Sequence, residues 1–448
     1  MSALLGRGKS LCPVCLKALD ADLMGEGDSV FIRRTCPEHG PFSGLIWRGE
    51  PSFAGWKRPK KPDSVLSRQT ATRQGCPRDC GRCPAHGRAA CTVLFEITRR
   101  CNLSCPVCFA DAGASSAPFT AYETLAEQLD WIHAQAGDVV LQLSGGEPTL
   151  HPDLPALVAR ARALFPAVQL NSNGLLLAER PELAASLASA GLSWVFLQFD
   201  GVTDGPYLAL RGKPLLETKL LALANCRAAG LSVVLVPTVA AGVNDGQLGD
   251  ILRLALSLAP TVRGIHLQPM TASGRNALSG NAPALTLPEV LAAICDQSGG
   301  LMRPEHAKAP GCEHERCSFH CRYRVTPSGS LVPLRDEGQA CCCPAGDGSE
   351  NDEGGAARAI EVILRSWQGS AKTGAHAPAD AFEAFIAEAR ERSFSVTCMA
   401  FQDAMNIDLE RLKGCCVHVF DPPGRLMPFC AYNLTALDGT PLHRRTKS

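Results

Sequence analysis

Between residues 92 and 268, six short apolar runs alternate with stretches of helical periodicity. The runs are 92–97, 139–143, 167–170, 193–199, 232–236 and 264–268. Between them, Leu125, Leu129 and Ile132 share one helical face, and Leu154, Leu157, Val158, Ala161 and Leu164 share another. Thr120 with Glu123 predicts a capping box for the first of these helices. Pro181 and Gly191 bracket a further helix in the expected order. Strands that alternate with helices imply a parallel sheet with right-handed crossovers. Six units over about 180 residues fall short of the roughly 250 residues of a closed eightfold barrel. The expected core is an α/β fold, a partial (β/α)6 barrel, with its site at the C-terminal ends of the strands.

The 22 cysteines cluster on either side of this core. Three are Cys12, Cys15 and Cys36. Seven fall between 76 and 108, six between 312 and 343, and four between 398 and 430. Cys226 and Cys295 stand alone in apolar or helical patterns and read as buried small hydrophobes. Lys+Arg and Asp+Glu both number 44. That balance argues against nucleic acid as a partner and against a polybasic membrane patch. The first ten residues hold no apolar signal region. The longest uncharged runs, 183–199 and 228–244, are 17 residues each and are interrupted by Gly, Ser or Pro. A membrane span needs about 20 apolar residues. The expectation is a cytoplasmic chain, in which Cys-x-x-Cys spacings serve metal or redox chemistry rather than disulfides.

Cys101-Asn-Leu-Ser-Cys105-Pro-Val-Cys108 follows the first core strand directly. A [4Fe–4S] cluster normally takes four Cys ligands, so a loop that offers three leaves one iron open to a small molecule. Structural zinc is the competing reading of the spacing. The context favours the cluster, because Gly145-Gly146-Glu147-Pro148 follows the second strand. The combination resembles the radical S-adenosylmethionine (SAM) superfamily over about residues 90–270. The resemblance implies that Cys101, Cys105 and Cys108 hold the cluster and that SAM chelates its open iron. It further implies reductive cleavage to a 5′-deoxyadenosyl radical, with Gly145, Gly146 and Glu147 at the SAM amino group. By position, Asn171 and Asn173 are candidates for the ribose. Gln198, Asp200, Thr238, His266 and Gln268 are candidates for SAM or substrate contact, against the plainer reading of strand-end solvation.

The flanking cysteines supply further metal sites. Cys12, Cys15, Cys36 and His39 form two knuckles that suit Zn2+ or a rubredoxin-like Fe. Cys76, Cys80, Cys83 and Cys91 lie close enough in sequence to complete an auxiliary [4Fe–4S] site. A repeat appears at the C-terminal end. Cys321 is followed by Pro327, Gly329, Leu331 and Pro333, and Cys416 at the same offsets by Pro422, Gly424, Leu426 and Pro428. Each copy reads as a β-hairpin. Cys398, Cys415, Cys416 and Cys430 suggest one more auxiliary cluster, with ligand choice between Cys415 and Cys416 open. Cys312, Cys317 and Cys321 are a further metal-binding candidate, and the adjacent Cys341, Cys342 and Cys343 have no assignment. The organisation reads as a metal module (1–62), an auxiliary-cluster segment (63–91), the barrel (92–300) and a C-terminal α+β auxiliary iron–sulfur domain (301–448). Stretches 57–67, 346–355 and 369–379 read as linkers or flexible loops.

Several longer strings narrow the resemblance. They are Cys36-Pro-Glu-His39-Gly, Gly75-Cys76-Pro-Arg-Asp-Cys80-Gly-Arg-Cys83-Pro, Cys101-Asn-Leu-Ser-Cys105-Pro-Val-Cys108-Phe-Ala, Leu197-Gln198-Phe199-Asp200-Gly201 and Cys398-Met-Ala-Phe-Gln-Asp-Ala-Met-Asn. With them the chain resembles the tetraether synthase group, whose members are also described as pterin methyltransferase-like. That resemblance implies sp3–sp3 coupling of lipid tail termini, three [4Fe–4S] clusters with one mononuclear metal, and a low-potential electron donor of ferredoxin or flavodoxin type. A lipid substrate would bring peripheral contact with the inner membrane face, and the apolar tracts 254–270 and 277–301 are candidates for a tail groove. The alternatives are a radical SAM C-methyltransferase acting on a pterin or other small heterocycle, a non-catalytic Fe–S electron carrier, and an RNA-modifying enzyme.

Overall fold

The β-alternating patterns sort into two sheets. In the computed structural model, which describes residues 2–58, 70–278, 284–334, 355–368 and 392–444, the N-terminal sheet is an antiparallel meander. It comprises β1 (Ser2–Leu11), β2 (Ala18–Glu26), β3 (Ser29–Cys36) and β4 (Gly40–Arg48). It docks by buried contacts, not a tether alone: Arg34 donates to Ala404 O at 2.9 Å, and Val30 and Trp47 join the main core. Most of the linker stretches, together with Cys341, Cys342 and Cys343, lie outside the described residues.

The main sheet is built from β5 (Thr92–Thr98), β7 (Val140–Gly145), β8 (Ala167–Ser172), β9 (Trp194–Gln198), β10 (Val233–Val236) and β12 (Val262–Pro269), parallel and in that order. Short pieces β6 (Val107–Cys108), β11 (Thr238–Val239) and β13 (Arg275–Asn276) lie at the C-terminal mouth. All six expected strands are present, and the core is the expected partial barrel. The stretch 301–448 adds to it at both edges. β16 (Ser393–Met399) pairs parallel with β12, and β17 (Val417–Asp421) pairs parallel with β5.

Both copies of the repeat are hairpins. β14 (Ser318–Val325) turns into β15 (Leu331–Pro333), and β17 turns into β18 (Arg425–Pro428). β14 pairs antiparallel with β16, so each hairpin covers one edge of the same sheet, where unpaired backbone groups would otherwise recruit another chain.

Leu125, Leu129 and Ile132 are buried on helix Tyr122–Ala136, as the stripe requires. The capping box at Thr120 does not form. The helix begins one residue later than that box needs, with Ala121 at its N-cap and no side-chain cap. The same pairing of side chains occurs instead at Thr286 and Glu289, opening helix Leu287–Gln297. Helix Gly355–Trp367 packs against the barrel, where Trp367 stacks edge-on to Phe196 and donates to Ser395 Oγ at 2.7 Å. Cys226 and Cys295 are both buried, as read from sequence.

Candidate active site

The loop that carries Cys101, Cys105 and Cys108 leaves the C-terminal end of β5 and is clamped from two directions. Arg275 donates to Cys105 O (2.7 Å), Asp111 Oδ1 (2.8 Å) and Ala112 O (2.8 Å). β13 pairs with β6 across the same loop. Arg211 donates to Val107 O at 3.2 Å and, bidentately, to both oxygens of Asp200 at 2.7 Å. The three thiols line one cavity of about 1470 Å3 inside the barrel. Burial pushes the Cys101 thiol up to about 12, and it raises Cys105 with partial relief from Arg211. Cys101 and Cys105, held protonated by burial, belong with Cys108 to a donor set that a cationic iron cluster would deprotonate on binding.

The two glycines act through the backbone. Gly145 has φ of +121°, and a side chain there would overlap Thr98 O; one on Gly146 would overlap Arg100 O. The close approach lets Gly146 N donate to Thr98 O and Glu147 N to Arg100 O, both at 2.8 Å. The end of β7 is thereby locked to the start of the cysteine loop. Glu147 is buried, and its lone pairs are spent on the protein. It accepts from Thr149 N (3.1 Å), Thr149 Oγ1 (2.5 Å), Ser172 Oγ (2.9 Å) and Asn173 N (2.7 Å). Burial nonetheless raises its pKa. In this structure Glu147 organises the strand ends, while Gly145 and Gly146 line the cavity.

Asn173, Gln198, Thr238, His266 and Gln268 all line that cavity. Asn173 donates to Asn102 Oδ1 at 2.7 Å beside Cys101. Asp200 does not face it; it is buried under Arg211 and also accepts from Thr238 N at 3.0 Å. Asn171 lines the cavity but spends its carboxamide on neighbouring wall residues, so its expected place at the ribose is not what its contacts show. His266 donates or accepts at Thr397 Oγ1 (2.7 Å), and burial lowers its pKa to about 4, which keeps it neutral.

Two charged residues escaped the sequence reading. Arg211 is one. The other is Lys219, fully buried, donating to Asn173 O and to Gln198 Oε1 (3.3 Å). Burial lowers its pKa to about 8. The available signal was its position: Lys219, Ala222, Leu223 and Cys226 form one buried helical stripe, so a lysine occupies a core position.

Comparison with known proteins fits this geometry. Residues 95–255 match the Radical SAM superfamily. The 7,8-dihydro-6-hydroxymethylpterin dimethyltransferase of Methanocaldococcus jannaschii is 31% identical over 95% of this chain and 92% of its own length. The chain belongs to the radical SAM superfamily. Residues 4–48 match the HMPTM N-terminal zinc ribbon domain. A GTP 3′,8-cyclase of Mycobacterium marinum is 32% identical over 54% of this chain and 66% of its own. Among solved structures, Streptococcus suis SuiB bound to S-adenosylmethionine matches 45% of this chain and 44% of its own, with 13% identity and a TM-score of 0.37. As a radical SAM protein, the chain is an enzyme, and its barrel loop fits the SAM-binding [4Fe–4S] cluster.

The other thiols group differently from their order in sequence. Cys12, Cys15, Cys36 and His39 converge at the β1–β2 and β3–β4 turns, with His39 Nδ1 3.6 Å from Cys12 Sγ and 3.4 Å from Cys36 Sγ. This is the ribbon's metal site. Cys76, Cys80 and Cys83 line a small pocket with His86. Cys91 is not with them. It joins Cys312 and Cys416, its Sγ 3.1 Å from that of Cys416, in a buried triad. The reason is register: Thr92 pairs with Val417, so the residue before β5 sits beside the residue before β17.

Neighbouring residues in an extended chain point to opposite sides. Cys415 accordingly turns away from the triad, toward Cys430 and Cys317. Cys321 and Cys398, expected as ligands, lie outside the triad and pack in the hydrophobic core, where burial pushes the Cys321 thiol up to about 12; Cys398 also lines the cavity. Cys91 and Cys312 line the same cavity as the SAM-cluster loop. The seven residues of β5 separate the two ends by about 20 Å.

Proposed function

We propose that the chain is a radical SAM methyltransferase that acts on a reduced pterin. The observation that carries this reading is similarity to a pterin dimethyltransferase across nearly the whole of both chains, together with the match of residues 4–48 to the HMPTM zinc ribbon. When bound, SAM and the barrel cluster supply a 5′-deoxyadenosyl radical for hydrogen abstraction at an unactivated carbon. The chain's own residues do the rest. Cys101, Cys105 and Cys108 would hold the cluster, and Arg275 and Arg211 fix their loop. Lys219 lies behind the cavity wall and fixes Asn173 and Gln198, two of its lining residues, through hydrogen bonds to Asn173 O and Gln198 Oε1. Auxiliary [4Fe–4S] clusters would draw on the Cys91–Cys312–Cys416 triad and on Cys76, Cys80 and Cys83, with electrons from a ferredoxin or flavodoxin.

Lipid-tail coupling has less support. The tracts 254–270 and 277–301, its expected groove, contribute β12 and helix Leu287–Gln297, whose apolar side chains are buried in the core. Among the described residues, no helix is long and apolar enough to cross a membrane.

The test is anaerobic reconstitution with iron and sulfide, then incubation with dithionite, 7,8-dihydro-6-hydroxymethylpterin and SAM, with and without a reduced folate carrying a one-carbon unit, so that either a second SAM or the folate supplies the methyl carbon. Mono- and dimethylated pterin with 5′-deoxyadenosine is the expected outcome. Unmethylated pterin, alongside loss of membrane-spanning lipids in cells lacking the gene, would reverse the order of the two readings.

A further inference from the structure

We propose that Gln142 is a substrate-recognition residue whose carboxamide NH2 donates a hydrogen bond to a carbonyl oxygen or ring nitrogen of a flat heterocycle in the barrel cavity. This deepens the pterin reading and rests on it for the identity of the ring.

The argument begins at Trp194. An indole N–H can donate but never accept. Trp194 is fully buried and donates to Gln169 Oε1 at 2.9 Å. Gln169, also fully buried, must therefore present Nε2 on its other side, and that group donates to Asn171 Oδ1 at 2.6 Å. Asn171 Nδ2 in turn donates to Gln142 Oε1 at 3.2 Å and to Ser144 Oγ at 3.4 Å. Which way a side-chain amide points is normally assigned from its network. Here the donor-only indole at one end fixes every amide in the row. The oxygen of Gln142 accepts from Asn171, which turns the Gln142 nitrogen to the other side. Its nitrogen has no partner among the described residues, and Gln142 lines the cavity.

The placement is set by the sheet. Gln142, Gln169 and Trp194 pair across β7, β8 and β9, so they form one row inside the barrel. The next row begins at Asn171, which pairs with Phe196. Phe196 lies 5.4 Å from His266 at an interplanar angle of 34°, and both face the cavity. The wall therefore joins a polarised donor, with the Ser144 hydroxyl beside it, to an aromatic face. A reduced pterin carries its ring carbonyl and an imine nitrogen on adjacent positions of one edge, and it has a flat face to stack. An alkyl tail has nothing for Gln142 to donate to.

Gln142→Glu is the decisive variant. It keeps an acceptor for Asn171 and removes the donor. Binding of 7,8-dihydro-6-hydroxymethylpterin to the reconstituted enzyme with SAM, followed by titration calorimetry, should weaken about 10- to 100-fold in Gln142→Glu and in Gln142→Ala alike. Trp194→Phe, which keeps a buried ring and releases the relay, should weaken it by a smaller factor. Unchanged or tighter binding in Gln142→Glu overturns the proposal. If the wild-type enzyme binds no pterin, the pterin reading fails. The relay is then decided by neutron diffraction of the same enzyme: the Gln142 nitrogen toward the cavity supports it, and the oxygen toward the cavity overturns it.

Discussion

Breaking the Asp200–Arg211 pair should destabilise the barrel and loosen the cluster loop together. The side chains are 0% and 5% exposed, and two 2.7 Å hydrogen bonds join them. Asp200 also accepts from Thr238 N, and Arg211 also reaches Val107 O and Thr238 Oγ1. Removing one member of such a pair leaves a buried charge without its counterion, at a cost of about 3–5 kcal/mol. We therefore expect Asp200→Asn and Arg211→Met each to lose roughly that much stability. The double variant should lose about as much as either single, which makes the coupling about 3–5 kcal/mol, at or above the top of the roughly 0.5–3 kcal/mol seen for contacting residues. Urea titration of the iron-free, zinc-loaded protein gives the three stabilities. Iron content after reconstitution should fall in the same variants, because Arg211 holds the backbone between Cys105 and Cys108. Single variants within about 0.5 kcal/mol of wild type, or strictly additive losses, would refute the reasoning.

Acid should reveal His266. Burial holds its folded pKa near 4, below the unfolded value of 6.5, so the unfolded chain takes up a proton first and stability is lost as pH falls from about 6.5 toward 4. The loss attributable to this residue is about 3 kcal/mol, and His266→Gln should flatten it in urea midpoints taken across that window. Gly146→Ala places a methyl group against Arg100 O, a backbone atom, and should lower iron loading of the barrel cluster with the ribbon's zinc unchanged; full iron content would contradict the close-approach argument. Cys36→Ala should remove the zinc, counted by elemental analysis, and speed amide exchange across residues 2–48, while the barrel iron stays. Cys312→Ala should reduce total iron, whereas Cys398→Ala should leave it intact and cost only about 1 kcal/mol of packing; equal iron loss in both would undo the triad assignment.

Local patterns were legible along the chain. The six apolar runs became six parallel strands because alternation with helices allows few other arrangements. The Pro-x-Gly repeats became hairpins, since turn chemistry acts over a handful of residues. The CxxxCxxC loop and the ribbon's four ligands are likewise short-range features. Lys219 and Arg211 were harder to see. A buried charge reveals itself through its partner, and Lys219 meets Asn173 from 46 residues away.

Capping and clustering erred for related reasons. Thr120 and Glu123 have the right spacing for a capping box, but tertiary packing starts the helix one residue later. Cys91 follows Cys76, Cys80 and Cys83 within 15 residues, yet its thiol meets Cys416, 325 residues on. By itself the sequence determined the kind of units and the kind of chemistry, because periodicity, turn residues and loop ligand spacing are set within a few residues. Only the tertiary structure decided which thiols share a site, which of Cys415 and Cys416 joins the triad, and which way Gln142 presents its amide. Those depend on the pairing of β17 with β5 and on a donor-only indole two strands from Gln142, and strand register across such distances is fixed by packing rather than by any local pattern.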